Sequence, residues 1–224
     1  MPRAPVHRMK KQDIVKLSKW HCEHGETGLT HYNCWLKANP TEMKVGVIDI
    51  EASQLRADWG IVLCVSIADL DSDHIFVRTI TKKEVFSESI DKKLLEDVME
   101  EMRKYDKLIG FYASNMRFDI PFLRTRCVIH GIAFPEFGEI IMEDLYPVIK
   151  YKFKLSSNRL GNVCEALLGN TTKTHWLWKH WLRAVQGKQA SLDYIEQHCI
   201  EDVKETKRLY QKVYQFNKVA SASL

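Results

Sequence analysis

The sequence of 224 residues has no apolar run that approaches the roughly 20 residues needed to span a bilayer. No apolar run follows its first residues either, so we expect no signal peptide. Its six cysteines are scattered, and several lie in apolar segments, which is typical of reduced intracellular thiols. The sequence also lacks internal repeats and low-complexity segments. These absences argue against a membrane-spanning protein and a disulfide framework, and they predict a cytoplasmic location.

The composition is that of a globular domain, since 45% of the residues are hydrophobic and 28% are charged. The net charge of +4 is uneven, because residues 1–19 hold six basic residues against one acid, Asp13. A basic arm suits a protein that touches phosphates, and a solvated tail explains the charge equally well. We expect a basic, Cys/His-rich arm over 1–41, a main domain over 42–215 and a tail over 216–224.

The apolar pattern predicts strands first, and then alternating helices and strands. The first three strands are close enough along the chain to form an antiparallel meander. The predicted strands are 45–51, 60–68, 74–80, 107–112 and 139–145. The predicted helices are 8–20, 91–105, 119–130, 157–168 and 189–215. This order predicts an α/β domain in which helices flank a mixed sheet.

Two carboxylates stand at the end of the first predicted strand. Asp49 and Glu51 are two residues apart, so both side chains leave the same face of the strand. Neighbouring carboxylates in an apolar setting repel each other, and a divalent metal ion is the usual compensation. The alternative is a strand that simply ends in solvent at Asp49.

Three further candidates lie on predicted helices. Asp119 begins one helix with Pro121 in its first turn, and an ordinary helix cap is the alternative. His198 and Asp202 are four residues apart on the last helix and share one side of it, as a surface pair would. Mg²⁺ and Mn²⁺ take carboxylate oxygens from several elements, so the segments together predict a divalent metal site.

In this order the three segments resemble the DEDD superfamily of 3′→5′ exonucleases. The first strand has D-x-E, the middle of the chain has F-D-x-P-F-L, and the late helix has H-x-x-x-D. The histidine of the third motif is the mark of the DEDDh branch. The resemblance covers roughly residues 45–212, and it implies a ribonuclease H-like fold for the mixed sheet.

The resemblance also implies a mechanism and a substrate. Two Mg²⁺ or Mn²⁺ ions would be held by Asp49, Glu51, Asp119 and Asp202, with His198 as the general base. The enzyme would cut single-stranded nucleic acid from its 3′ end, with DNA slightly favoured over RNA, and release nucleoside 5′-monophosphates. The alternatives are an exoribonuclease, a nuclease-like module that binds without cutting, and a structural zinc adaptor.

A second candidate metal site lies near the N-terminus. Cys22, His24, His31 and Cys34 lie within 13 residues and form a Cys₂His₂ set, which is familiar from structural zinc sites. The single residue between the first two ligands is tight, and His21 offers a substitute. The alternative is an ordinary loop that packs its aromatic side chains on the main domain.

Two segments are candidates for contact with a nucleic-acid strand. Asn158 and Arg159 open a predicted helix that borders the cleft in the fold implied by the resemblance. Residues 171–188 interleave basic and aromatic side chains, which suits base stacking and phosphate binding. The alternative for this stretch is a buried helix formed around Leu177, Trp181 and Val185.

Overall fold

The computed structural model describes residues 4, 9, 11–39, 43–111, 118–136, 138–175 and 177–216. The strands are β1 Val45–Ala52, β2 Val62–Asp69, β3 Ile75–Thr79, β4 Lys107–Gly110 and β5 Ile141–Asp144. The helices are α1 Lys11–Lys19, α2 Tyr32–Ala38, α3 Lys82–Val85, α4 Lys92–Met102, α5 Asp119–His130, α6 Tyr146–Lys152, α7 Leu160–Leu168, α8 Trp178–Ala184 and α9 Gln189–Val213. Within these ranges, no helix combines the length and the apolar character needed to cross a membrane.

The five strands form one mixed sheet in the order β3-β2-β1-β4-β5. Strand β2 pairs antiparallel with both β1 and β3, which confirms the predicted meander. Strands β1, β4 and β5 are parallel to one another, with Val47 opposite Ile109 and Gly110 opposite Asp144. The parallel strands therefore end at one edge of the sheet.

Helices cover both faces of the sheet, as predicted. Successive residues of β1 point to opposite faces, and they enter different apolar clusters. Ile48 and Ile50 pack in a cluster with residues of α4 and α5, whereas Val47 packs in a second cluster with α7 and α9. The long helix α9 also contacts β1, β2 and β3, so it lies across the centre of the sheet.

The predicted elements differ from the observed ones mainly at their ends. Helix α5 has the predicted bounds and ends at Gly131, whose φ of 67° is in the left-handed region that glycine tolerates. Helix α7 begins at Leu160, three residues later than predicted. Helices α2, α3 and α6 were not predicted, because four to seven residues are too few to show a helical period.

The N-terminal segment forms a small appendage with its own apolar cluster. The buried members of this cluster are Ala4, Leu17, Tyr32, Trp35 and Leu36. Ile141 of β5 packs against it, and the Tyr32 hydroxyl donates a hydrogen bond to Asp106 at 3.0 Å. The appendage therefore contacts the sheet where β4 and β5 begin.

Candidate active site

The site begins where β1 extends beyond its parallel neighbour. Strand β1 pairs with β4 only as far as Val47, and Asp49 and Glu51 lie further along on the same face. On its other side β1 remains paired, with Asp49 opposite Ser66 of β2. The two carboxylates are therefore held on a central strand at the edge where parallel strands of α/β proteins usually bind ligands.

Helix α9 covers the face of β1 that carries these carboxylates. The Cys199 thiol donates to the Asp49 main-chain oxygen at 3.4 Å and lies 3.6 Å from its Oδ2 atom. The flanking residues His198 and Asp202 are 3% and 8% exposed. The predicted pair on α9 is thus buried against β1, and a solvent-exposed surface pair is ruled out.

Three of the five predicted catalytic residues have ligand atoms close together. One such atom from each of Glu51, His198 and Asp202 lies within 4.8 Å of the other two. His198 Nε2 is 3.7 Å from Glu51 Oε1, so this edge of the imidazole faces the carboxylates. Asp202 Oδ1 is buried without a hydrogen-bond partner among the described residues.

Asp119 enters the site from the start of α5, with a side chain that is 7% exposed. Burial raises its pKa well above the usual range, and the nearby charges of Asp49, Asp144 and Asp202 raise it further. The charges that act on Asp119 are thus those of carboxylates on β1, α9 and the end of β5. A helix cap alone does not explain this crowding.

The carboxylates repel one another strongly in the absence of a cation. Burial raises the pKa of Asp49 to about 8, and the charge of Asp202 adds to the rise. Burial also raises the pKa of Glu51 well above its usual range, with Asp49 as the next cause. Clustered carboxylates that disfavour their own ionisation are the expected donor set for a hard divalent cation.

The segment 171–175 runs along α9 and contributes residues that the sequence did not reveal as part of the site. Lys173 Nζ contacts Asp202 Oδ2. The Thr174 hydroxyl lies 2.5 Å from His198 Nδ1. Because this contact engages Nδ1, it fixes the ring and leaves Nε2 facing Glu51. The only sequence signal was a basic residue among threonines, which has no helical or strand period.

Helix α8 contributes a second partner of the site. Trp181 is 7% exposed, and its indole Nε1 donates a hydrogen bond to Glu51 Oε2 at 3.2 Å. The predicted burial of Leu177 and Val185 is wrong, since they are 40% and 37% exposed. Trp178, on the same short helix, is 60% exposed and available for stacking. Trp176 lies outside the described residues.

The predicted substrate contacts are not brought to the carboxylates by any described contact. Arg159 precedes α7 and is exposed, while Asn158 is half-buried. Helix α7 packs on α9, so both residues lie on an element that neighbours the helix of the site. Asp144 lies at the end of β5, where its Oδ1 accepts a hydrogen bond from Tyr146 N of α6 at 2.9 Å.

The cysteine and histidine residues of the appendage also come together. One ligand atom from each of Cys22, His24, His31 and Cys34 lies within 4.8 Å of the other three. His21 does not join them, because its Nδ1 is 3.3 Å from the main-chain oxygen of Lys19. The structure therefore brings the four predicted residues together, and His21, the possible substitute ligand, is not among them.

The fold and the carboxylate group together define the ribonuclease H-like class of α/β proteins. A family model described as the RNase H superfamily matches residues 47–214, and the chain belongs to that superfamily. A comparison with curated proteins gave no match. Membership indicates a nuclease-type, hydrolytic function with a nucleic-acid substrate, and nucleases of this kind generally use divalent metal ions.

Proposed function

We propose that this protein is a DEDDh-type 3′→5′ exonuclease that hydrolyses single-stranded nucleic acid and releases nucleoside 5′-monophosphates. The observation that carries the proposal is the convergence of Glu51, His198 and Asp202 at one edge of the sheet. One buried oxygen of Asp202 has no hydrogen-bond partner within the described part of the chain. DNA is the slightly favoured substrate. An exoribonuclease and a binding module without activity are the competing functions.

The residues present fit a pair of divalent cations. Asp49, Glu51, Asp119 and Asp202 provide only carboxylate oxygens, the ligands that Mg²⁺ and Mn²⁺ prefer. The raised pKa values of Asp49, Glu51 and Asp119 are what a bound cation would relieve. It would also engage Asp202 Oδ1, which has no hydrogen-bond partner among the described residues. When bound, two such ions supply positive charge that stabilises the attacking and leaving oxygens of phosphodiester hydrolysis.

His198 is the proposed general base. Burial lowers the pKa of His198, so the neutral imidazole is the main form near neutral pH. In the tautomer whose Nδ1–H donates to the Thr174 hydroxyl, Nε2 is unprotonated and would accept the proton of the attacking water. As that proton moves to Nε2, the water oxygen bonds to phosphorus and the 3′ oxygen of the penultimate nucleotide leaves.

Trp181 positions Glu51 through its hydrogen bond. Trp178, at the start of the same helix, is exposed to solvent. Aromatic side chains next to basic ones suit a single strand, since every base can stack and every phosphate is anionic. Lys179 and Arg183 supply the basic residues on α8. We propose this helix as the side from which the strand reaches the carboxylates.

The test is the polarity of digestion by the wild-type protein with Mg²⁺ or Mn²⁺. A single strand with a bulky group at its 3′ end should resist digestion, and the same group at the 5′ end should have no effect. Matched DNA and RNA strands identify the preferred sugar. Rapid cutting of a covalently closed circle would contradict an exonuclease, and strand binding without any cutting would favour the inactive module.

A further inference from the structure

We propose that the N-terminal appendage holds one structural zinc ion, bound by Cys22 Sγ, His24 Nδ1, His31 Nδ1 and Cys34 Sγ. The first observation is the separation of these atoms. Cys22 Sγ lies 3.6 Å from His24 Nδ1 and 3.4 Å from His31 Nδ1. Cys34 Sγ lies 3.8 Å from His24 Nδ1. Hydrogen bonds join these atoms only in pairs, whereas one central cation would engage all four.

These separations match the edges of a zinc tetrahedron. Zn–S bonds of about 2.3 Å and Zn–N bonds of about 2.0–2.1 Å, at tetrahedral angles, separate sulfur from nitrogen by about 3.6 Å. The three observed separations lie on both sides of that value. The four atoms therefore need little movement to enclose the ion.

The backbone explains how a single residue between Cys22 and His24 can suffice. His21 and Thr27 form an isolated antiparallel bridge, so the chain between them is a tight turn. Gly25, with a φ of 78°, occupies the turn, and its N–H donates to the Cys22 carbonyl at 2.9 Å. Both ligands of the turn thus face the start of α2.

The second pair of ligands comes from the start of α2. His31 immediately precedes the helix, and Cys34 lies in its first turn, where its N–H donates to the His31 carbonyl at 3.0 Å. Trp35 of the same helix packs edge-on against Trp20. Zinc would therefore join the turn to the helix that supplies most of the small apolar cluster, a role typical of structural sites in short segments.

The experiment measures zinc in wild-type protein that has been purified with reductant and without chelator. We expect about one zinc per chain, and its loss in Cys34→Ser and His24→Ala. His21→Ala is the matched control and should keep its zinc, since His21 lies outside the cluster. The released segment, residues 20–40, should become sensitive to protease in the first two variants only.

The outcome is independent of nuclease function. Hydrolysis of a short strand should survive in Cys34→Ser, because none of the proposed active-site residues lies in the appendage. The zinc site would be overturned if the wild-type protein contained no zinc and residues 20–40 were nevertheless resistant to protease. Retention of zinc by Cys34→Ser and His24→Ala together would overturn the ligand assignment. If the wild-type protein did not hydrolyse the strand, this result would count against the proposed nuclease function and not against the zinc site.

A different observation supports a second inference, which rests on the proposed metal site. We infer that Lys173 is a built-in cation that competes with the divalent ions for Asp202. Its Nζ contacts Asp202 Oδ2, and its charge also acts on Asp49 and Glu51. The positive charge of one ammonium group thus acts on three of the four carboxylates that are proposed to bind metal.

The surrounding segment holds Lys173 in that position. The Thr172 hydroxyl donates to Glu205 at 2.8 Å, and the Thr174 N–H donates to Glu201 at 2.9 Å. Glu201 and Glu205 are one helical turn apart on α9, and Asp202 lies between them in the sequence. Because a divalent cation and an ammonium group repel each other, metal binding must break the contact between Lys173 and Asp202.

Titration of Mn²⁺ into protein without substrate, at mildly alkaline pH where protons compete little, tests this competition. Lys173→Met removes the charge at similar length and should bind Mn²⁺ at least about tenfold more tightly, the effect of removing one nearby charge. Lys212→Met alters an exposed lysine in the last turn of α9 and should match the wild type in Mn²⁺ affinity. In EDTA, only Lys173→Met should lower the melting temperature.

Equal or weaker Mn²⁺ binding by a folded Lys173→Met variant would overturn the competition. Absence of Mn²⁺ binding in the wild type would overturn the metal site itself, and this inference with it. Tighter Mn²⁺ binding together with slower hydrolysis would still support the competition, because affinity is measured without substrate. The competition therefore fails on the Lys173→Met protein, and the metal site fails on the wild type.

Discussion

Asp49→Asn and Asp202→Asn should each lower hydrolysis by roughly 10²–10³-fold, the loss typical when one electrostatic partner of a transition state is removed. Both carboxylates are proposed to hold the cations that stabilise the developing charge. The measurement is single-turnover cleavage at saturating Mg²⁺. Asp193→Asn is the matched control, because Asp193 lies on the exposed side of α9 and should keep wild-type activity.

The same variants should not unfold the protein. The pKa of Asp49 is raised to about 8 by burial and by Asp202. A carboxyl whose pKa is higher in the folded chain costs stability at any pH above its unfolded pKa, and the cost fades as pH falls through the folded value. In EDTA at neutral pH, Asp49→Asn should therefore melt at a higher temperature than the wild type. Full activity of either active-site variant would contradict the two-metal mechanism.

His198→Ala should lower kcat by roughly 10²–10⁴-fold, the usual contribution of a general base. Mn²⁺ affinity should change little, because the proposed ligands are the four carboxylates. The base must be neutral, so activity falls as pH drops through its pKa. Burial lowers that pKa, and the acid limb of the kcat profile should lie below about 6.5, the usual histidine value, and vanish in the variant.

Thr174→Val offers a graded companion to this experiment. It keeps the imidazole and removes only the hydroxyl that lies 2.5 Å from Nδ1, so the base is present but poorly oriented. We expect a smaller loss than in His198→Ala and an acid limb that is still visible. If the whole effect of His198→Ala disappeared at high Mg²⁺, His198 would be reassigned as a metal ligand.

The sequence predicted the fold well where elements were long or strongly patterned. The mixed sheet, the meander, α5 and the start of α9 followed from alternation, helical spacing and Gly131. It did not predict helices of four to seven residues, which depend on tertiary packing more than on their own pattern. The exposed Leu177 and Val185 show the limit of helical spacing as a guide, since only Trp181 of that stripe is buried.

The proposed site was predictable only where its residues fall in recognisable spacings. The carboxylates of β1 and the pair on α9 have such spacings, and the structure places ligand atoms of Glu51, His198 and Asp202 close together. Lys173 and Thr174 were missed, because their position depends on how an irregular segment runs along α9. No local pattern encodes that path, and only the folded chain brings the segment to His198.

The order of the proposed ligands along the chain has a consequence during synthesis. Among the described elements, β1 is the first strand to be made, and α9, the helix that completes the proposed site, is the last α-helix. A nascent chain that has emerged as far as α5 holds three of the carboxylates, and it lacks His198 and Asp202. Because the contacts of α9 with β1 span such a distance in sequence, we expect them to form late in folding. A nascent chain that has not yet exposed α9 therefore lacks two of the five proposed site residues.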